Sequence, residues 1–301
     1  MTYYQIKEVE YSQQQDPYFI YQGKEEKEVL LNFGYTKARD LLETIHTLAK
    51  SEKDLTLNIL YHNQKIQYFI RSEKSDFLNR LQQNTPRITW SMNNNSFNLS
   101  FSEKDKITLK GCASPLVIKD RSENLLDELI KMLPRESFLI QVKFSVKEDD
   151  EINNQILTLE KHISHLAQEA AIQVGEQSNI GENIKKIFVG GENYSYQLKN
   201  ITAQQQLEML ENHMYTLKTQ GYIFKNVEWN IYAESNEVTN SIASKMKSFS
   251  RRSGNLNFYR LQQAIEKKND EEDISHFSYL NLVPSNYIST IIALPHLVFR
   301  V

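Results

Sequence analysis

Few residues in this chain have the type and spacing that chemistry needs. His162 and His165 stand three apart, which would put both imidazoles on one side of a helix. Neither a cysteine nor an HExxH-type third ligand accompanies them, so they read as exposed helix residues. Glu148-Asp149-Asp150-Glu151 could attract a cation. Its plainer role is a charged strand-to-helix turn, with carboxylates favoured at a helix N-terminus by the macrodipole. Cys112, the single cysteine, excludes an internal disulfide and a cysteine-rich zinc site, and beside Gly111 it reads as a small buried residue. A phosphate-cradling loop needs Gly, four residues, then Gly-Lys-Ser/Thr. Gly175 to Gly181 has one residue too many, with Glu182 where the lysine belongs, and Gly190-Gly191-Glu192 lacks the lysine as well. The reading assigns no catalytic, metal or cofactor-binding residue, so this chain alone reads as no enzyme and without a cofactor. Lys245, Lys247, Arg251 and Arg252 form the one basic cluster, at the end of a helix. Cations suit that end on dipole grounds, and the same residues are the candidate contact with nucleic acid or an acidic partner.

The elements that would position these residues are legible as periodicities. Between Tyr194 and Leu261 three signals agree. Thr202 and Gln205 have capping-box spacing, and Ala203, Leu207, Leu210, Met214 and Leu217 form one helical stripe ending near Gly221. Val227, Trp229, Ile231 and Ala233 then alternate with Glu228, Asn230, Tyr232 and Glu234, the pattern of a half-buried strand. Ser235 caps a helix carrying Val238, Ile242, Met246 and Phe249, and a strand over Leu256–Leu261 follows. Upstream, residues 1–17 read as a polar lead-in, and Tyr18–Tyr21 and Val29–Phe33 as short strands. Thr36 caps a helix with Ala38, Leu41, Leu42, Ile45, Leu48 and Ala49 inside. Leu55–Tyr61 and Lys65–Arg71 flank His62-Asn63-Gln64 as a hairpin, Phe77, Leu78 and Leu81 mark a short helix, and Arg87–Met92 and Ser96–Phe101 make another hairpin. Ile107–Lys110 reads as an edge strand. Ser122 would cap a helix ended by Pro134, and Ser137–Val146 is a strand. A long amphipathic helix over 151–172 carries Ile152, Ile156, Leu159, Ile163, Leu166 and Ala170. That stripe either lies on the sheet or forms an oligomer seam, with Ile152, Ile156, Leu159, Ile163 and Leu166 as its contacts.

These elements predict an α+β fold: helix-backed mixed or antiparallel sheets in two units of ferredoxin-like size. An N-terminal α+β domain spans 1–112 and a second one 113–265. Residues 266–301 are a linker and short helix, with Ser285–Ala293 helical. At 301 residues with 40% apolar and 24% charged side chains, the composition is ordinary for a globular protein. A formal net charge of −3 gives no global field toward nucleic acid or anionic membranes. No apolar run approaches the length needed to span a bilayer, and the start has no signal-peptide core, so a cytoplasmic location is expected.

Four successive pieces carry a resemblance. They are the helix at Glu123–Leu133 leading into Phe138–Val146, the long helix from Ile152, the segment Tyr196-Gln-Leu-Lys-Asn through Leu217 into Val227-Glu-Trp-Asn-Ile-Tyr and the next helix, and Asn281-Leu-Val-Pro-Ser-Asn-Tyr-Ile-Ser-Thr-Ile-Ile-Ala-Leu-Pro. In this order they resemble the N-terminal, non-ATPase region of HerA/FtsK-like DNA-translocating ATP-binding proteins. The resemblance implies a non-catalytic module that mediates ring assembly or docks a partner protein, with DNA reached through an attached motor. It carries no functional residue over, because the family's Walker motifs and arginine finger would lie beyond Val301. The alternative is a stand-alone adaptor of a phage-defence or mobile-element system with no motor in cis.

Overall fold

The computed structural model describes residues 2–10, 26–49, 55–72, 77–85, 87–93, 101–113, 124–146, 150–167, 201–219, 222–250, 259–263, 282–289, 291–295 and 299–300. They fall into two compact units, one built from 1–148 and 220–301 and one from 149–219.

The first unit is one sheet. Its strands are β1 (Thr2–Glu10), β2 (Thr56–His62), β3 (Lys65–Ser72), β4 (Ile88–Asn93), β5 (Ile107–Ala113), β6 (Phe138–Ser145), β7 (Ile223–Ala233) and β8 (Tyr259–Gln263), with two short additions, β9 (Leu282–Pro284) and β10 (Phe299–Arg300). Eight of them lie side by side as β4-β1-β3-β2-β6-β7-β5-β8, every neighbour antiparallel. β10 adds to β1 in parallel, and β9 adds to β7 antiparallel. Helices α1 (Glu26–Ala49), α2 (Phe77–Asn84), α3 (Leu125–Met132), α6 (Asn236–Phe249) and α7 (Ser285–Ser289) belong to this unit. The second unit contains α4, over 150–167, and α5 (Ile201–Thr219).

One apolar core accounts for the layering. Tyr4, Ile6 and Val9 of β1, Leu57 and Ile59 of β2, Ile140 and Val142 of β6, and Trp229 and Ile231 of β7 share it with Leu41 and Ile45 of α1, Leu125 and Leu129 of α3, and Ile242 and Met246 of α6. Side chains two apart on a strand point to the same face, so one face of the sheet is apolar and covered by helices. The α+β class and the antiparallel sheet therefore hold.

The division into two ferredoxin-sized sheets does not. β2 pairs with β6 from Thr56↔Lys143 to Tyr61↔Phe138, and β5 pairs with β7 from Ile107↔Ile231 to Lys110↔Glu228. Both pairings join strands from opposite sides of the expected 112/113 boundary, and β5 itself runs through it to Ala113. Gly111 sits within the ladder opposite Leu261. β5 is also no edge strand, since β7 and β8 flank it.

Several local expectations change for identifiable reasons. The opening residues form a strand because Tyr4, Ile6 and Val9 turn inward; a register shift between Ile6 and Glu8 breaks the simple alternation that would have revealed it. Val29–Phe33 is helical, not extended, because α1 starts before Gly34 and runs through it. Thr36 therefore lies inside α1 rather than capping it. Asn124, not Ser122, caps α3: its Oδ1 accepts from the backbone N–H of Leu126 at 2.9 Å and of Asp127 at 3.3 Å. Thr202 falls inside α5 rather than before it, and the helix expected over Ser285–Ala293 ends at Ser289. The β2–β3 hairpin holds, its two turn residues Asn63 and Gln64 at φ 50° and 59° in the left-handed region that a tight hairpin requires. Ser235 caps α6 as expected, accepting from Val238 N–H at 3.3 Å. The expected strand at Tyr18–Tyr21, all but the last residue of the one at Ser96–Phe101, and the polar stretch 266–273 lie outside the described residues.

Candidate functional site

The basic cluster is partly accounted for. Lys245 and Lys247 lie in the last turns of α6, while Arg251 and Arg252 fall outside the described residues. Lys245 is half-buried and ion-paired with Glu128 of α3. That pair ties two helices on the apolar face of the sheet, so Lys245 acts first as a structural cation. Lys247 suits the helix end, where unpaired carbonyls attract positive charge.

The long helical stripe is placed more firmly. On α4, Leu159 is fully buried, Ile156 and Ile163 are 9% and 8% exposed, and Ile152 and Leu166 are intermediate. The centre of the stripe is thus buried within a single chain and its two ends are partly exposed. Glu160 on α4 forms an ion pair with Lys218 on α5, joining the two helices of the second unit. His165 is exposed and His162 intermediate. Asp150 and Glu151 fall in the first turn of α4, as the dipole argument expects, while Glu148 and Asp149 lie outside the described residues. Among the described residues no group of three His, Cys, Asp or Glu could hold a metal ion. The glycine-rich stretches at 175–181 and 190–192 lie outside the described residues.

Three arrangements were hidden from sequence reasoning. In the first, a row of polar side chains crosses the sheet on the face opposite the helices: Asn58, Gln141, Asn230 and Thr108 stand in register on β2, β6, β7 and β5. Gln141 Nε2 donates to Asn58 Oδ1 at 3.1 Å, and Thr108 Oγ1 donates to Asn230 Oδ1 at 2.7 Å. Asn58 and Asn230 are each 2% exposed. Asn230 and Tyr232, expected to face outward from β7, are thus buried, while Glu228 is intermediate and Glu234, just past the strand, is exposed. The Nζ of Lys106 lies 5.9 Å from the Tyr232 ring centroid.

In the second, His62 at the end of β2 meets Ser137 just before β6, Nδ1 to Oγ at 2.8 Å, with Ser137 5% exposed. A hydroxyl against an imidazole is the start of a nucleophile–base pair. Among the described residues, the hydrogen bonds bring no carboxylate to the ring and no pair of N–H groups to the hydroxyl. The arrangement fits a hairpin tie better than a catalytic one. The Tyr61 hydroxyl, donating to Pro134 O at 3.1 Å, makes a second tie at the same corner.

The third is the docking of residues 282–289 and 291–295. β9 pairs with β7 from Ile223↔Pro284 to Lys225↔Leu282, and Ser285 N–H donates to Tyr222 O at 2.9 Å. Beyond α7, Ile291, Ile292, Ala293 and Leu294 are all buried. Three residues from distant parts of the chain hold this end. Asn124 Nδ2 donates to Ala293 O at 3.2 Å and to Leu294 O at 3.1 Å. The Tyr68 hydroxyl faces the carbonyls of Ile292 and Ala293 at 3.5 Å each. Gly34 O accepts from Leu294 N–H at 3.3 Å, and a side chain at position 34 would put its Cβ 2.4 Å from Leu294 O. Burial raises the Tyr68 phenol well above its ordinary value, and the nearby Asp127 charge adds to the shift. No protein-family model matches the sequence, and no curated protein matches it either.

Proposed function

We propose that this chain is a non-catalytic assembly and docking module of the HerA/FtsK-like kind, cytoplasmic, serving a DNA-translocating ATPase motor. Its elements support that reading by their order. α3 leads into β6, the long helix α4 comes next, α5 is followed by β7 and α6, and β9 with α7 runs to Leu294 and Pro295. The observation that carries the proposal is the anchoring of 282–295. The Leu-Pro end is keyed to α1 by Gly34, to α3 by Asn124 and to β3 by Tyr68, and the chain then rejoins the sheet as β10 beside β1, so its last described residues stand at a fixed place. A motor joined there would be held in a set direction relative to the sheet. The proposed partner is a protein, and no helix of the described residues is long and apolar enough to cross a membrane.

The decisive measurement is the intact mass of the protein made from its natural locus. A mass well above 35.3 kDa, with ATP hydrolysis that depends on DNA, is the expected result. A mass near that value overturns the motor in cis and leaves the stand-alone adaptor, for which the next experiment is identification of the bound protein.

A further inference from the structure

We draw no further inference here: the strongest candidate, the polar row Asn58–Gln141–Asn230–Thr108 across β2, β6, β7 and β5, in which the buried Nδ2 of Asn230 has no acceptor among the described residues, carries nothing because nothing in the structure shows what covers that face of the sheet.

Discussion

Replacing Gly34 with alanine sets two effects of opposite sign against each other. Gly34 lies within α1, where alanine is ordinarily the better helix former by about 1 kcal/mol. On propensity alone the variant is more stable. The new methyl, however, would sit 2.4 Å from the carbonyl oxygen of Leu294, a backbone atom that no rotamer change can move. Relief requires the helix and the 291–295 segment to separate by roughly 1 Å. That movement stretches the Leu294 N–H bond to Gly34 O and the two bonds from Asn124 to Ala293 O and Leu294 O. Each contributes about 1 kcal/mol, and overpacking a filled core costs about 1–3 kcal/mol. Packing wins, and Gly34→Ala should lose about 3–5 kcal/mol net if all three bonds are given up. Urea unfolding followed by tryptophan fluorescence reads it directly, because both tryptophans, Trp90 and Trp229, are buried in the sheet unit. A variant equal to or more stable than the parent would refute the tight contact and, with it, the fixed docking of the Leu-Pro end.

The remaining tests address the other supports. Asn124→Ala removes the α3 cap and the donor to the 293–294 carbonyls together, and should cost about 2–3 kcal/mol in the same unfolding assay. Asn124→Ser keeps a capping oxygen and should lose about half as much, so equal losses would show that the capping oxygen adds nothing. Leu159→Asp places a carboxylate at a fully buried position. Hydrogen exchange should show protection lost across α4, at a cost of about 3–5 kcal/mol; a fully protected α4 in a complex of reduced mass would assign the stripe to an oligomer seam instead. Tyr68 bears on alkaline stability. Its folded pKa is raised above the ordinary 10.0, so its contribution is fully present below that pH. As pH rises further the unfolded chain releases the phenolic proton before the folded one does, and stability falls. Tyr68→Phe should flatten that alkaline decline in a series of melting temperatures, and an unchanged slope would assign the decline to other groups.

The local elements were largely legible because a two-residue or 3.6-residue rhythm is written into consecutive side chains. Val227 to Ala233, the α6 stripe behind Ser235, and the hairpin around Asn63 and Gln64 needed no partner to be recognised. Thr202 and Thr36 misled because a capping residue type specifies only a preference for a helix start. Gly34 is more instructive, because its missing side chain serves a close approach by Leu294, a residue 260 positions away. The same physics separates the two kinds of knowledge about the candidate sites. Sequence alone determined the helices, most strands, the absence of a recognisable phosphate loop in its pattern, and which side chains must face a core. Only the tertiary structure decided that β2 joins β6 and β5 joins β7 in one sheet, that Lys245 belongs to Glu128, and that Asn124 and Tyr68 meet at the 291–295 segment. Strand pairing and such polar ties are chosen among many compatible partners, and the choice is made where the shared apolar face of β1 to β7 can be buried at once.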